Sequence, residues 1–271
     1  MQTHRALPRL AFGPGAMTDE ASRLLPEEVA VALCFNGSTQ AVMMATPADL
    51  IDFAYGFALT EGIAVPDEID SVEAVETAKG VDLQLWVRPE AEARLARRRR
   101  TMAGPVGCGL CGIDSLDEAL RVLPPVAKSS FTMTPAEVRA AIASLPNAQP
   151  LHDATHAVHA AGFWNGALLA SREDVGRHNA LDKLAGHLIR AKQTQGAVLL
   201  TSRVSIDMVQ KVAVLGAPMI IAVSAPTAHA VAVADAAGIT LIALARPDRF
   251  EVFTHESRLT EGPAVGEQHV A

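Results

Sequence analysis

Gly196-Ala197-Val198-Leu199-Leu200-Thr201 is a short apolar run that ends in Ser202-Arg203-Val204-Ser205. The plan then repeats: a helical stretch from Ile206 to Leu215, a second run from Pro218 to Val223, and a close on Ser224-Ala225-Pro226-Thr227. A helical stretch from Ala228 to Ala237 follows, then a third run from Ile239 to Ala245 before Arg246-Pro247-Asp248-Arg249. Continuous apolar strands separated by helices predict a parallel sheet covered on both faces. In such sheets ligands sit beyond the carboxyl ends of the strands. All three ends carry hydroxyls or arginines, so Ser202, Ser224 and Arg246 are expected on one edge, with Arg203, Thr227 and Arg249 beside them. Helix N-termini follow the first two ends directly, which suits an anionic or phosphorylated ligand. No Gly-x-Gly-x-x-Gly follows any of these three strands and there is no Walker-type lysine loop, which argues against a standard dinucleotide fold and a P-loop enzyme.

Upstream lies the polar run Glu173-Asp174-Val175-Gly176-Arg177-His178-Asn179-Ala180-Leu181-Asp182-Lys183, leading into a helix. Its apolar stripe (Leu181, Leu184, Ala185, Leu188, Ile189) predicts that His178, Asp182 and Lys183 lie off the core face. Acids at a helix start and paired charges account for about half of these side chains; the rest suit binding or catalysis. Before this run stand His152, His156 and His159 among small residues, in a stretch that reads equally as helix, strand or tight loop. A metal there would need acids to converge on the histidines, and no metal is expected.

Further upstream, Gly107-Cys108-Gly109-Leu110-Cys111-Gly112 holds two of the three cysteines in a loop with little side-chain bulk. Arg97-Arg98-Arg99-Arg100 precede it, and nearby guanidinium groups favour thiolate over thiol. Structural zinc wants four ligands, and no second C-x-x-C exists. A thioredoxin-like dithiol matches this glycine-rich loop poorly. Sulfur chemistry at a reactive cysteine is the expectation. Cys34, among apolar neighbours, reads as core.

The remaining N-terminal residues alternate strands and helices. Residues 1 to 28 carry several prolines and suggest an extended surface arm. Glu28 to Phe35 and Gln40 to Met44 form a hairpin about Asn36-Gly37. Thr46-Pro47-Ala48-Asp49 reads as a capped helix start. Val81 to Val87 alternates as a half-buried strand, residues 91 to 100 suggest a helix, and Thr134-Pro135-Ala136-Glu137 opens another.

At 271 residues, 49% hydrophobic and 20% charged, the chain is compact, with one or two domains expected. The fold class is α/β: an N-terminal α+β region over 1–125 ending in the cysteine loop, and an α/β/α region over 126–271. A net charge of −7 argues against general nucleic-acid binding. Three cysteines suit a reducing compartment. No signal-peptide core or membrane-spanning run is read, so a soluble cytoplasmic protein is expected.

Together the Cys108–Cys111 loop, Glu173 to Lys183, Ser202-Arg203 with Met208-Val209-Gln210-Lys211, Ala222 to Thr227 and Val42 to Pro47 resemble the formate dehydrogenase accessory sulfurtransferase family (FdhD). The resemblance covers nearly the whole chain. It implies a homodimeric sulfur carrier that takes persulfide sulfur from a cysteine desulfurase. The carrier passes it to the molybdenum (or tungsten) bis-molybdopterin guanine dinucleotide of formate dehydrogenase, with guanine nucleotide as a binding fragment. It also implies a carboxyl-terminal part similar to the cytidine-deaminase fold. Cys108 falls on the persulfide carrier, with Cys111 assisting. Leu244, Ala245, Arg246, Pro247, Asp248 and Arg249 fall on the cofactor-binding segment. Ser202, Arg203, Ser224, Thr227, His159, Arg177 and His178 complete the candidate set, and Lys211 is expected at phosphate beside the arginines. The chain departs from the family pattern at His156 and Ala157, where glycines are usual, and at Asp248. Two rivals differ in chemistry. A zinc nucleoside deaminase wants H-x-E ahead of P-C-x-x-C, which is absent; a non-catalytic scaffold would need neither cysteine.

Overall fold

The computed structural model describes residues 1–13, 16–101, 125–126 and 129–261, without the side chains of 13, 16–20 and 97–101. The chain begins with β1 (His4–Gly13) and β2 (Ala16–Pro26), an antiparallel two-stranded ribbon. The extended arm expected here is therefore a hairpin. Pro8 obscured it, but a proline lacks only a donor, and each strand of a ribbon has a free edge where none is needed.

Next come β3 (Val29–Phe35), β4 (Ser38–Ala45), α1 (Leu50–Thr60), β5 (Ile69–Thr77), β6 (Gly80–Val87) and α2 (Pro89–Thr101). The strands form a sheet in the order β4-β3-β6-β5, with β3 and β6 parallel and the other pairs antiparallel. Asn36 (φ 47°) and Gly37 (φ 76°) are both left-handed, as a tight hairpin turn requires. In β6, Val81, Leu83, Leu85 and Val87 are buried while the residues between them are not, so the period of two sets the core face. That face packs on Phe53, Ala54 and Phe57 of α1 and on Ala91 and Leu95 of α2.

The second layer system holds α3 (Pro135–Ser144), α4 (Pro150–Thr155), β7 (His159–Trp164), β8 (Leu168–Asp174), α5 (Arg177–Arg190) and β9 (Ala197–Leu200). It continues through α6 (Ile206–Leu215), β10 (Met219–Ala222), α7 (Ala228–Ala236), β11 (Thr240–Ala243) and β12 (Glu251–Thr254). Among the described residues the sheet order is β12-β11-β10-β9-β7-β8. The central β9, β10 and β11 are parallel as the sequence predicts, and antiparallel strands flank them on both sides. Successive residues point to opposite faces. Val198, Leu200, Ile220, Ala222, Leu241 and Ala243 meet α5, α6 and α7, while Ala197, Leu199, Met219, Ile221 and Ile242 meet α3. Each fully buried leucine or isoleucine contributes roughly 1.5–3 kcal/mol of transfer free energy.

The two systems meet where α1 crosses α5. A Cβ on Gly56 would lie 1.7 Å from the Asp182 carbonyl oxygen, and one on Gly186 would lie 1.8 Å from that of Asp52. Only glycine allows backbones so close. Asp182 and Lys183, expected off the core face, are 2% and 0% exposed. The correction has a plain cause: α5 packs on the sheet with its leucines and on α1 with its polar side. Thr46 likewise does not cap α1. The N-cap is Asp49 in a left-handed conformation (φ 53°) with no side-chain cap bond, and Thr46 is buried between the layers.

Candidate functional site at the sheet edge

Ser202, Ser224 and Arg246 each follow a parallel strand and so lie at one edge. Val223 N–H donates to Leu200 O at 2.9 Å, and Arg246 Nη1 donates to Val223 O at 2.6 Å and Ala245 O at 2.8 Å. Arg246 thereby ties the end of β11 to the end of β10. Leu244 adopts φ 51°, a strained conformation for a bulky side chain, and turns the chain sharply into Ala245–Arg249. Ala245 is buried, whereas Arg246, Pro247, Asp248 and Arg249 are exposed.

Two helices begin at this edge, and a third meets it. Thr227 Oγ1 accepts the Ala230 N–H at 3.2 Å and so caps α7. Ser205 and Gly176 precede α6 and α5 without side-chain cap bonds. Their first-turn amides remain partial positive charges that favour an anion. Arg203 is exposed between β9 and α6. Ser202 is 4% exposed and its hydroxyl donates to Arg203 O at 3.1 Å, so it braces the loop from inside.

The first turns of α5 and α6 meet at His178 and Asp207, whose Nε2 and Oδ2 are in contact. Burial pushes the Asp207 carboxyl up, but the His178 hydrogen bond and charge, with the Ser205 hydroxyl, outweigh it and hold the group well below the usual carboxylate range. His159, at the start of β7, shares their field. Burial, then the Arg177 charge, keeps its imidazole below the ordinary value against an opposing pull from Asp174. Among the described residues, the buried Nε of Arg177 has no hydrogen-bond partner. His159, Arg177 and His178 are therefore brought together, as the sequence suggests.

The profile of the FdhD/NarQ family matches residues 26–260. The chain belongs to the FdhD/NarQ family. A sulfur carrier protein FdhD of Agrobacterium fabrum is 50% identical over 262 residues, covering 95% of this chain and 96% of the relative. Another sulfur carrier protein FdhD, of Brucella abortus, is 52% identical over 247 residues, covering 89% and 92%. A crystal structure from Desulfotalea psychrophila, described as a formate dehydrogenase accessory protein, superposes with a TM-score of 0.75 at 26% identity. It covers 96% of this chain and 100% of its own.

Within this FdhD/NarQ chain, Lys211 departs from the sequence expectation. It is 6% exposed, and its Nζ donates to Glu61 Oε1 at 2.8 Å, Thr60 Oγ1 at 2.9 Å and Asp182 Oδ2 at 3.0 Å. Burial alone would lower its pKa, but the carboxylates of Asp182 and Glu61 raise it. Lys211 therefore ties α6 to α1 and does not reach the edge. Cys108, Cys111 and the rest of the cysteine loop lie outside the described residues, as do the side chains of Arg97–Arg100. Cys34 is 4% exposed with Sγ 3.2 Å from Thr39 Oγ1, as its apolar strand implies. His152 and His156 sit ring to ring at 5.4 Å. Among the described residues, no three His, Cys, Asp or Glu side chains group to hold a metal ion, and no helix is long and apolar enough to cross a membrane. Sequence reading missed Asp207. An acid in the first turn of a helix ordinarily answers the dipole, and nothing in one dimension brings it to His178.

Proposed function

We propose that this FdhD/NarQ protein is a sulfur carrier that receives persulfide sulfur from a cysteine desulfurase and delivers it to a guanine-dinucleotide metal cofactor destined for formate dehydrogenase. The observation that carries the proposal is identity at the 50% level, over nearly the full length of both chains, to a sulfur carrier. The substrate is the molybdenum or tungsten bis-molybdopterin guanine dinucleotide. Residues 1–125 supply the cysteine loop, and residues 126–271 supply the nucleotide edge of a cytidine-deaminase-like layer in a homodimer. Each half of that cofactor ends in guanosine joined through a pyrophosphate. Exposed Arg203, Arg246 and Arg249 suit this charge, since guanidinium presents forked donors to phosphate oxygens. Ser224, Thr227, His159, Arg177 and His178 lie around the same edge.

In the sulfur steps, the Cys108 thiolate attacks the outer sulfur of the desulfurase persulfide. That S–S bond breaks, the desulfurase thiolate leaves, and Cys108 carries the new persulfide. Cys111 thiolate then attacks Cys108 Sγ, the outer sulfur leaves with the bonding pair as sulfide for the metal, and a Cys108–Cys111 disulfide remains. A dithiol reductant restores both thiols.

The test loads each single variant with desulfurase and cysteine and maps the added sulfur by peptide mass. Cys111→Ala should still gain a persulfide on Cys108, while Cys108→Ala should gain none and fail to activate the dehydrogenase. Sulfur on Cys111 of Cys108→Ala with activation intact would exchange the roles of the two cysteines. Activation by a protein lacking both would establish a non-catalytic scaffold.

A further inference from the structure

We propose that the β1–β2 ribbon of one protomer docks across the uncovered face of the N-terminal sheet of a second copy of this chain, with Trp86 anchoring each contact. This rests on the homodimer of the preceding reading. Along β1, Ala6, Pro8, Leu10 and Phe12 share one face, and Leu24 stands opposite Ala6 on β2. All five are exposed, Leu10 at 55% and Phe12 at 77%. An isolated two-stranded ribbon is marginal in water, and a contiguous exposed apolar surface marks an interaction site. Only Glu27 and Glu28 separate the ribbon from β3. The Glu27 N–H donates to Thr3 O at 2.8 Å, and Arg5 pairs with Glu27 at 2.8 Å. These ties fix the base of the ribbon, and its apolar face stays uncovered by its own chain.

A complementary surface lies on the same chain. The sheet β4-β3-β6-β5 buries one face under α1 and α2. On the other, Val42 and Met44 of β4, Val75 of β5 and Trp86 of β6 are 61%, 49%, 39% and 52% exposed. Register sets Met44 beside Ala30, Val42 beside Ala32 and Val75 beside Asp82. The charged side chains of this face are Glu73 and Asp82, whereas the ribbon carries exposed Arg9 and Arg23. Both surfaces are apolar and their charges are opposite, which favours their meeting over self-pairing of either. A groove on the ribbon, lined by Ala6, Pro8, Arg9, Leu10, Ala21 and Ser22, suits a large aromatic anchor, with the Arg9 guanidinium placed to stack on an indole. Size separates the arrangements. A ribbon of 10-residue strands presents about 300 Å² per face, at about 3.3 Å per residue and a width of about 10 Å. Ribbon against ribbon on a two-fold axis would bury only about 600 Å², the scale of a lattice contact. Ribbon on sheet occurs twice about that axis and buries roughly 1,200 Å², where specific interfaces begin.

Sedimentation equilibrium of the full chain tests the exchange, with thermal melts to check the fold of each variant. The wild type should be a dimer. Leu10→Asp on the ribbon and Trp86→Lys on the sheet replace exposed side chains, so both should fold. Each should weaken dimerisation about thirtyfold or more, the scale of one interface anchor. Mixed in equal amounts, the two variants should associate more tightly than either alone. One intact ribbon then still meets one intact sheet, and the altered contact sets an aspartate against a lysine. A Trp86→Lys dimer as tight as wild type would mean ribbon on ribbon, and an equally tight Leu10→Asp dimer would mean sheet on sheet. Either result, or two weakened variants with no gain on mixing, overturns the exchange while the homodimer stands. A tight Leu10→Asp dimer that no longer gains persulfide from the desulfurase would assign the ribbon to that enzyme instead. A wild type that stays monomeric at every concentration overturns the homodimer as well.

Discussion

Lys183, expected off the core face, is buried and pairs with the buried Asp174. Both side chains are 0% exposed, and they pair at 2.6 Å. The carboxylate also accepts N–H bonds from Thr46 and Gly176 at 3.0 and 2.8 Å and from Asn179 Nδ2 at 3.0 Å. Among the described residues the ammonium has one further acceptor, Thr46 O at 2.8 Å. The periodicity of α5 located the leucine face, but a helix buried on a second side by polar contacts looks like a solvated face in sequence. The asymmetry of the pair yields a ranking. Lys183→Met leaves Asp174 with three donors and should cost roughly 1–3 kcal/mol. Asp174→Ala strands an ammonium with one carbonyl and should cost about 3–5 kcal/mol. Urea unfolding of the two variants checks the order, and a milder Asp174→Ala would mean that Lys183 finds water or another acceptor.

At the scale of elements, the parallel strands were legible because each is an apolar run of a few residues bounded by turn chemistry, and burial on both faces needs nothing more. Their shared edge followed from topology alone. The flanking antiparallel strands were harder. β7 runs through His159-Ala160-Ala161-Gly162, where small residues give no β-branched signal, and it is burial between neighbours that makes them a strand. Residues expected at the edge divide by exposure: Ser202 is turned inward and Lys211 is buried away from the edge against α1, while Arg246 and Arg249 are open. Two of the Arg246 hydrogen bonds go to backbone carbonyls, yet a guanidinium has five donors and can still face phosphate. Changing Arg246 and Arg249 together to Ala should therefore weaken guanosine diphosphate binding by tenfold or more, as charge-assisted contacts are lost. Calorimetry reads this directly, and unchanged affinity in the double variant would remove the segment from the nucleotide site.

Across the whole molecule, the junction between the two sheets is built from parts that tolerate no slack. Leu59 of α1 belongs to the same apolar cluster as the leucines of α5, although α1 otherwise covers the N-terminal sheet. Around the glycine crossing stand three charged ties. Lys211 binds Asp182 and Glu61, Lys183 binds Asp174, and Asp52 takes Arg172 at 2.7 Å and Arg190 at 2.6 Å. No sequence window could have paired Gly56 with Gly186, because the contact is backbone on backbone and leaves no side-chain pattern. Such a junction should make the two sheets melt together, so the calorimetric and van't Hoff enthalpies of the wild type should agree despite the size of the chain. Gly186→Ala puts a methyl 1.8 Å from the Asp52 carbonyl oxygen, where no rotamer can relieve it, and must push α1 away from α5. The ties then lengthen together and the coupling fails. Differential scanning calorimetry of Gly186→Ala should show a lower and broader transition, resolved into two, with the N-terminal sheet melting first because its core is smaller. A single sharp transition at the wild-type temperature would mean that the helices can part without cost, and that the crossing does not hold the sheets together.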